Sequence, residues 1–125
     1  DRTDPQPGGR RIAVLGDMLE LGDTGPAAHA GLARDLKRAG IETVHCCGPL
    51  MHHLYEALPP HMRGHYAPDS ATLAPLVAND VMSGDVVLVK GSFGSRMKAV
   101  VEELTAMSDE QPMFHTSTAI AVNDA

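Results

Sequence analysis

Gly84-Asp85-Val86-Val87-Leu88-Val89-Lys90-Gly91-Ser92-Phe93-Gly94-Ser95-Arg96-Met97 runs as an apolar strand into a Gly/Ser turn and a helix start. A continuous apolar run of this kind is expected of a strand covered on both faces of a parallel sheet. Strand, turn and helix in that order free backbone N–H groups at the helix N-terminus. With Lys90 and Arg96 beside them, the turn suits an anionic group of a ligand. A second unit lies near the beginning, Arg11-Ile12-Ala13-Val14-Leu15-Gly16-Asp17-Met18-Leu19-Glu20-Leu21-Gly22, where another apolar strand breaks at a Gly-Asp. Two strand ends of this kind predict one open site.

Outward from these two units, strand-like and helix-like segments alternate. Pro26 to Ala39 carries Ala28, Leu32, Ala33, Leu36 and Ala39 at helical spacing. Pro26 fits the first turn and Gly40 the C-terminal cap. Ile41 to Cys47 reads as a strand, and Pro49 to Leu58 as a helix stopped by Pro59-Pro60. A weak strand around His65 to Ala67 precedes a helix with Asp69 or Ser70 as its N-cap. Pro75 either delays the start of that helix or kinks it. A last helix is predicted from about Gly94 to Met107. The β-α-β-α-β-α-β-α order gives a single α/β domain, a Rossmann-like, doubly wound and mostly parallel sheet in three α-β-α layers. Ligands of such sheets bind outside the carboxyl ends of the strands, which puts Gly16-Asp17 and Lys90-Gly91-Ser92 on one rim. Residues 1–10, polar and rich in Pro and Gly, read as a linker from a longer chain. The domain is expected over 11–107. Residues 108–125 are expected as a tail in which Phe114 to Val122 either adds an edge strand or stays unstructured.

Composition agrees with layered packing and removes several functions. Aromatic residues make up 3% of the 125 residues and Trp is absent, so the core must rest on aliphatic side chains and Met. A formal net charge of −6 with no basic run argues against nucleic-acid binding, which needs clustered Lys and Arg. No stretch approaches the roughly 20 apolar residues of a membrane span, and no signal-peptide pattern opens the chain, so a cytoplasmic location is expected. The adjacent Cys46 and Cys47 point to opposite faces of a strand and read as reduced structural thiols.

Generic motifs are set aside on spacing. Gly91-Ser92-Phe93-Gly94 does not complete G-x-G-x-x-G, and the chain holds no G-x-x-x-x-G-K-[ST], hence no P-loop. His52, His53, His61 and His65 surround a Pro-Pro turn without Cys or carboxylate at ligand spacing, so no metal site is expected. Asp17 and Glu20 have the chemistry of an acid/base pair, and acidic residues in a turn and at a helix start are also common without it.

Val14-Leu15-Gly16-Asp17-Met18-Leu19-Glu20-Leu21-Gly22, His29 in the following helix, and Gly84 to Ser92 followed by Arg96-Met97 resemble the C-terminal domain of the Mur ligases, in particular of the members that handle D-alanyl-D-alanine. The similarity covers about residues 10 to 106. Phe93 departs from the pattern, since many members carry Arg directly after the Ser; Arg96 would supply the cation instead.

The resemblance implies a three-domain, monomeric ligase of peptidoglycan synthesis. An N-terminal domain would hold the UDP-sugar, a central domain would bind ATP and most of the Mg²⁺, and this domain would close over the site. ATP phosphorylates the carboxylate of UDP-MurNAc-tripeptide, and the amine of D-Ala-D-Ala attacks the acyl phosphate. The fragment alone is expected to hold no cofactor and to be inactive. Backbone N–H groups at Gly91 and Ser92, the Ser92 hydroxyl and Lys90 would fix the dipeptide carboxylate, with Arg96 in support. Asp17 would hold the incoming ammonium, and His29 would reach the same rim. Two other readings compete: a free-standing α/β module that binds an anion or nucleotide, and a response-regulator-like fold, for which only Asp17 of the required acidic cluster is present.

Overall fold

The computed structural model describes residues 9–17, 25–82, 84–91, 96–110 and 119–124. The elements are β1 (Arg11–Gly16), α1 (Gly25–Arg38), β2 (Thr43–Cys47), α2 (Met51–Ala57), a 3-10 turn (Pro60–Met62), β3 (Arg63–Ala67), α3 (Ser70–Asp80), β4 (Val86–Gly91), α4 (Lys98–Glu110) and β5 (Ala119–Asp124). All five strands are parallel, in the order β3-β2-β1-β4-β5. The chain winds outward from β1 through β2 to β3, then crosses to the other side of β1 and continues outward through β4 to β5. This is the doubly wound arrangement the alternation of elements requires. Residues 119–124, which overlap the Phe114 to Val122 stretch and run two residues past it, form the outer strand on β4.

Two apolar clusters, one on each face, make the three layers. Ala13, Leu15, Val44 and Cys46 pack with Leu36 of α1 and with Met51 and Leu54 of α2. Ile12, Val14, Cys47, Val87 and Val89 pack with Leu73 and Val77 of α3 and with Val100 and Leu104 of α4. Strand alternation therefore does send Cys46 and Cys47 to opposite faces. Both are buried free thiols.

Two helix ends follow from their local sequence. Gly40 adopts a left-handed φ of 77°. Its N–H donates to the Lys37 carbonyl and the Ile41 N–H to the Leu36 carbonyl, closing α1 with a Schellman cap. Asp69 accepts the Thr72 N–H at 2.7 Å and caps α3. That bond holds the Asp69 carboxyl below its ordinary range. Pro75 lies inside α3, which nevertheless starts at Ser70. The proline removes only the N–H that would reach Ala71, whose surroundings are solvent.

Two expectations are corrected. β4 is not covered evenly on both faces: Val87, Val89 and Gly91 are buried, whereas Val86, Leu88 and Lys90 are half-buried. The uniformly buried strands are β1 and β2, whose alternate residues pack into the apolar clusters on the two faces of the sheet. The final helix begins at Lys98 rather than near Gly94. Arg96, two residues ahead of it, has a φ of 56°, which a right-handed helix cannot include.

Candidate functional site

The direction of winding reverses between β1 and β4. In sheets of this kind the crevice at such a reversal, at the carboxyl ends of the strands, receives ligands. β1 and β4 are paired directly, with Leu15 opposite Lys90. The Gly16-Asp17 and Lys90-Gly91 ends, expected on one rim, are therefore side by side at the reversal.

Lys90 shares the half-covered face of β4 with Val86 and Leu88, opposite the face that packs on α3 and α4. Its place near the carboxyl end of β4, opposite Leu15, puts it at the rim. Gly91 is buried. Ser92 lies outside the described residues, as does Glu20. His29 is placed in α1 by its backbone alone. Arg96 is exposed and stands in the turn before α4, not one turn into the helix. Its carbonyl accepts the Ala99 N–H at 3.2 Å, and the Met97 carbonyl accepts the Val100 N–H at 3.0 Å. Two of the first donors of α4 are thus taken up within the turn itself.

Asp17 is held by more than its own strand. Its Oδ1 accepts the N–H of Met51, the first residue of α2, at 2.9 Å. Leu50, in the N-cap position, supplies no side-chain cap, so Asp17 caps α2 from the end of a different element. Gly48 makes this possible. Its φ is 100°, and a Cβ there would lie 2.5 Å from Asp17 Oδ1 and 2.6 Å from Cγ. The Gly48 N–H donates to the Ala67 carbonyl at 3.2 Å. Its carbonyl accepts the Tyr66 hydroxyl at 2.8 Å. Sequence reasoning passed over Gly48 and Tyr66. A strand broken by glycine just before a helix start is the same signal that singled out Gly16, and Gly48 carries it. Nothing local marks Tyr66.

The Asp17 charge is felt by its neighbours. Burial first, then Asp17 and Asp69, push the Cys47 thiol up to about 12. Burial first, then Cys47, push Cys46 up to about 12 as well. Both stay protonated at neutral pH and neither is a nucleophile; the Cys47 thiol donates to Met97 Sδ at 3.6 Å. Burial, then Asp17, raises the Tyr66 hydroxyl too, which keeps it a donor.

A second polar cluster sits at the opposite, amino-terminal edge of the sheet. Asp85, 2% exposed, accepts the Arg10 N–H at 2.8 Å and the Arg10 guanidinium at 3.0 Å. Arg10 also meets the Asp80 carboxylate at 3.5 Å, and the Asp80 Oδ2 accepts from His45 Nε2 at 3.0 Å. His45, 1% exposed, was not singled out by its sequence, because an alternating apolar strand hides one polar position. This cluster lies away from the rim and joins β1, β2, α3 and β4. Among the described residues no group of three His, Cys, Asp or Glu is arranged to hold a metal ion. No described helix is long and apolar enough to cross a membrane.

Comparison with known proteins places these features in a wider set. A family described as "Mur ligase, glutamate ligase domain" matches residues 2–93. The UDP-N-acetylmuramoyl-tripeptide–D-alanyl-D-alanine ligase of Bacillus subtilis is 30% identical over 100 residues, which cover 77% of this chain and 22% of that protein. The Escherichia coli ligase of the same name is 33% identical over 99 residues, covering 77% and 21%. Among solved structures, MurF ligase from Thermotoga maritima in complex with ADP superimposes with a TM-score of 0.64 at 27% identity, covering 82% of this chain and 23% of that one. A MurF structure from Acinetobacter baumannii, 24% identical with a TM-score of 0.66, shares the fold. The chain spans about a fifth of the length of the curated relatives it matches.

Proposed function

The chain belongs to the Mur ligase family as a C-terminal domain of the MurF type, and from that premise we propose that it positions the acceptor D-alanyl-D-alanine for amide formation with UDP-MurNAc-tripeptide. The observation that carries this reading is the adjacency of Gly16-Asp17 and Lys90-Gly91 at the reversal of the sheet. One end offers a cation and the other a carboxylate. A free dipeptide at neutral pH carries the complementary pair, a carboxylate and an ammonium.

Lys90, with the Gly91 and Ser92 backbone and the Ser92 hydroxyl, takes the dipeptide carboxylate. Arg96, exposed beside the same turn, adds positive potential. Asp17 Oδ1 is engaged by α2, so Oδ2 is the oxygen for the ammonium, with His29 placed on the following helix. Once the amine is deprotonated, the same contacts hold its lone pair toward the carbonyl it attacks. Holding the two reactants together replaces a bimolecular encounter, which is the largest contribution available to residues that do no chemistry themselves. ATP with Mg²⁺ would activate the tripeptide carboxylate, and in this reading their site lies on a preceding domain, since this sequence has no P-loop.

The test is substitution in the full-length enzyme. Lys90→Ala and Ser92→Ala should each raise KM for D-Ala-D-Ala, about 10- to 100-fold for Lys90, the range expected on losing a hydrogen bond to a charged group. KM for UDP-MurNAc-tripeptide should stay put. An unchanged dipeptide KM in both variants overturns the assignment. The 125-residue chain alone should neither hydrolyse ATP nor form the amide, and activity from it would overturn the division of labour between domains.

A further inference from the structure

Tyr66 lies on β3, two strands away from Asp17, yet an unbroken path connects them. The Tyr66 hydroxyl donates to the Gly48 carbonyl at 2.8 Å, and the Gly48 N–H donates to the Ala67 carbonyl at 3.2 Å. Both peptide groups of Gly48 are therefore tied to β3. Gly48 in turn packs its bare Cα against the Asp17 carboxylate, which accepts from Met51 at 2.9 Å. The carboxylate thus has a floor, set by Gly48, and an orientation, set by the first N–H of α2. Together the two contacts select one of the staggered rotamers open to a carboxylate at a strand end.

We infer that Tyr66 and Gly48 are positioning residues that fix the Asp17 carboxylate at the rim, so that the ends of β1, β2 and β3 act as one unit on the acceptor substrate. This rests on the reading above, in which Asp17 meets the ammonium of the dipeptide. The ring of Tyr66 has its own support: it meets His52 edge-on at 5.3 Å and Tyr55 at 5.6 Å. Tyr66→Phe therefore keeps the packing and deletes only the hydroxyl.

In the full-length enzyme, Tyr66→Phe should raise KM for D-Ala-D-Ala about fivefold, the scale of one neutral hydrogen bond, with KM for ATP and UDP-MurNAc-tripeptide unchanged. Asp17→Asn keeps an oxygen for Met51 but removes the charge. In that background Tyr66→Phe should add nothing further, since its effect passes through the carboxylate. An unchanged dipeptide KM in Tyr66→Phe overturns the inference. So does an undiminished effect in the Asp17→Asn background, or an equal rise for all three substrates. If instead Asp17→Asn alone leaves the dipeptide KM unaltered, the site reading itself fails, whatever Tyr66→Phe does.

Discussion

A methyl group on Gly48 would occupy space already held by the Asp17 carboxylate, and it would do so on a backbone with φ of 100°. Two costs add at this one position. A left-handed conformation disfavours any residue with a Cβ, and displacing Asp17 removes the cap of α2. Together these amount to roughly 2–3 kcal/mol. Gly48→Ala should lower the urea midpoint accordingly, and the loss should shrink when Asp17 is also replaced by Ala, because the clash then disappears. A cost independent of residue 17 would contradict the geometry. Arg96 is the opposite case, a non-glycine residue at φ 56°. Its strain, about 1–2 kcal/mol, sits beside the rim, where backbone strain in folded proteins often coincides with ligand contact.

Among the elements, α1 shows how a single cap closes a helix. Gly40 and Ile41 donate back to Lys37 and Leu36, and Ile41 and Leu36 belong to the same apolar cluster. Among the described residues a Cβ at Gly40 would meet only Arg11 Nη1, at an ordinary 3.7 Å, so conformation limits substitution there. Gly40→Ala should cost about 1 kcal/mol and Gly40→Asn less, since Asn tolerates the left-handed region. In a domain of this size 1 kcal/mol lowers the melting temperature by about 4 °C, and calorimetry of the two variants checks the ranking. α2 is closed differently. The Arg63 guanidinium reaches from β3 to the Tyr55 and Glu56 carbonyls at 3.1 and 2.9 Å, with its charge placed favourably at a helix C-terminus. β3 itself carries a bulge: Val44 pairs with Arg63 but Cys46 with Tyr66, so His45 faces both Gly64 and His65. The bulge and the missing Cβ of Gly64 make room for the His45 ring, whose Nδ1 accepts the His65 N–H at 2.9 Å.

At the scale of the whole molecule, that ring links the edge strand to the amino-terminal cluster, because its other nitrogen reaches Asp80. With Nδ1 an acceptor, the proton of the neutral ring is on Nε2. Burial first of all, then the charges of His65 and Arg10, press the His45 pKa down; Asp80 offsets them only in part. The unfolded chain takes up this proton near pH 6.5 and the folded one refuses it. Stability is therefore intact above about 6.5 and is lost as pH falls through the window below it, by up to about 1.4 kcal/mol per pH unit. Denaturant titrations between pH 7.5 and 5 should show this slope, and His45→Gln, which has nothing to protonate, should flatten it. The alternation of elements, the caps at Gly40 and Asp69, and the two strand-end strings were legible in the sequence, because each depends on residues within a few positions of one another. Family membership was legible for the same reason, two specific strings at a fixed separation. The sequence by itself thus determined a doubly wound sheet with Gly16-Asp17 and Lys90-Gly91 on one rim. Only the tertiary structure decided that these ends are direct neighbours at the reversal, that one face of β4 is half-covered, and that Asp17 caps α2 over Gly48 under the hold of Tyr66. Those contacts join residues from 18 to 75 positions apart. No local propensity encodes them, since they exist only once the strands are paired and the helices have been packed against them.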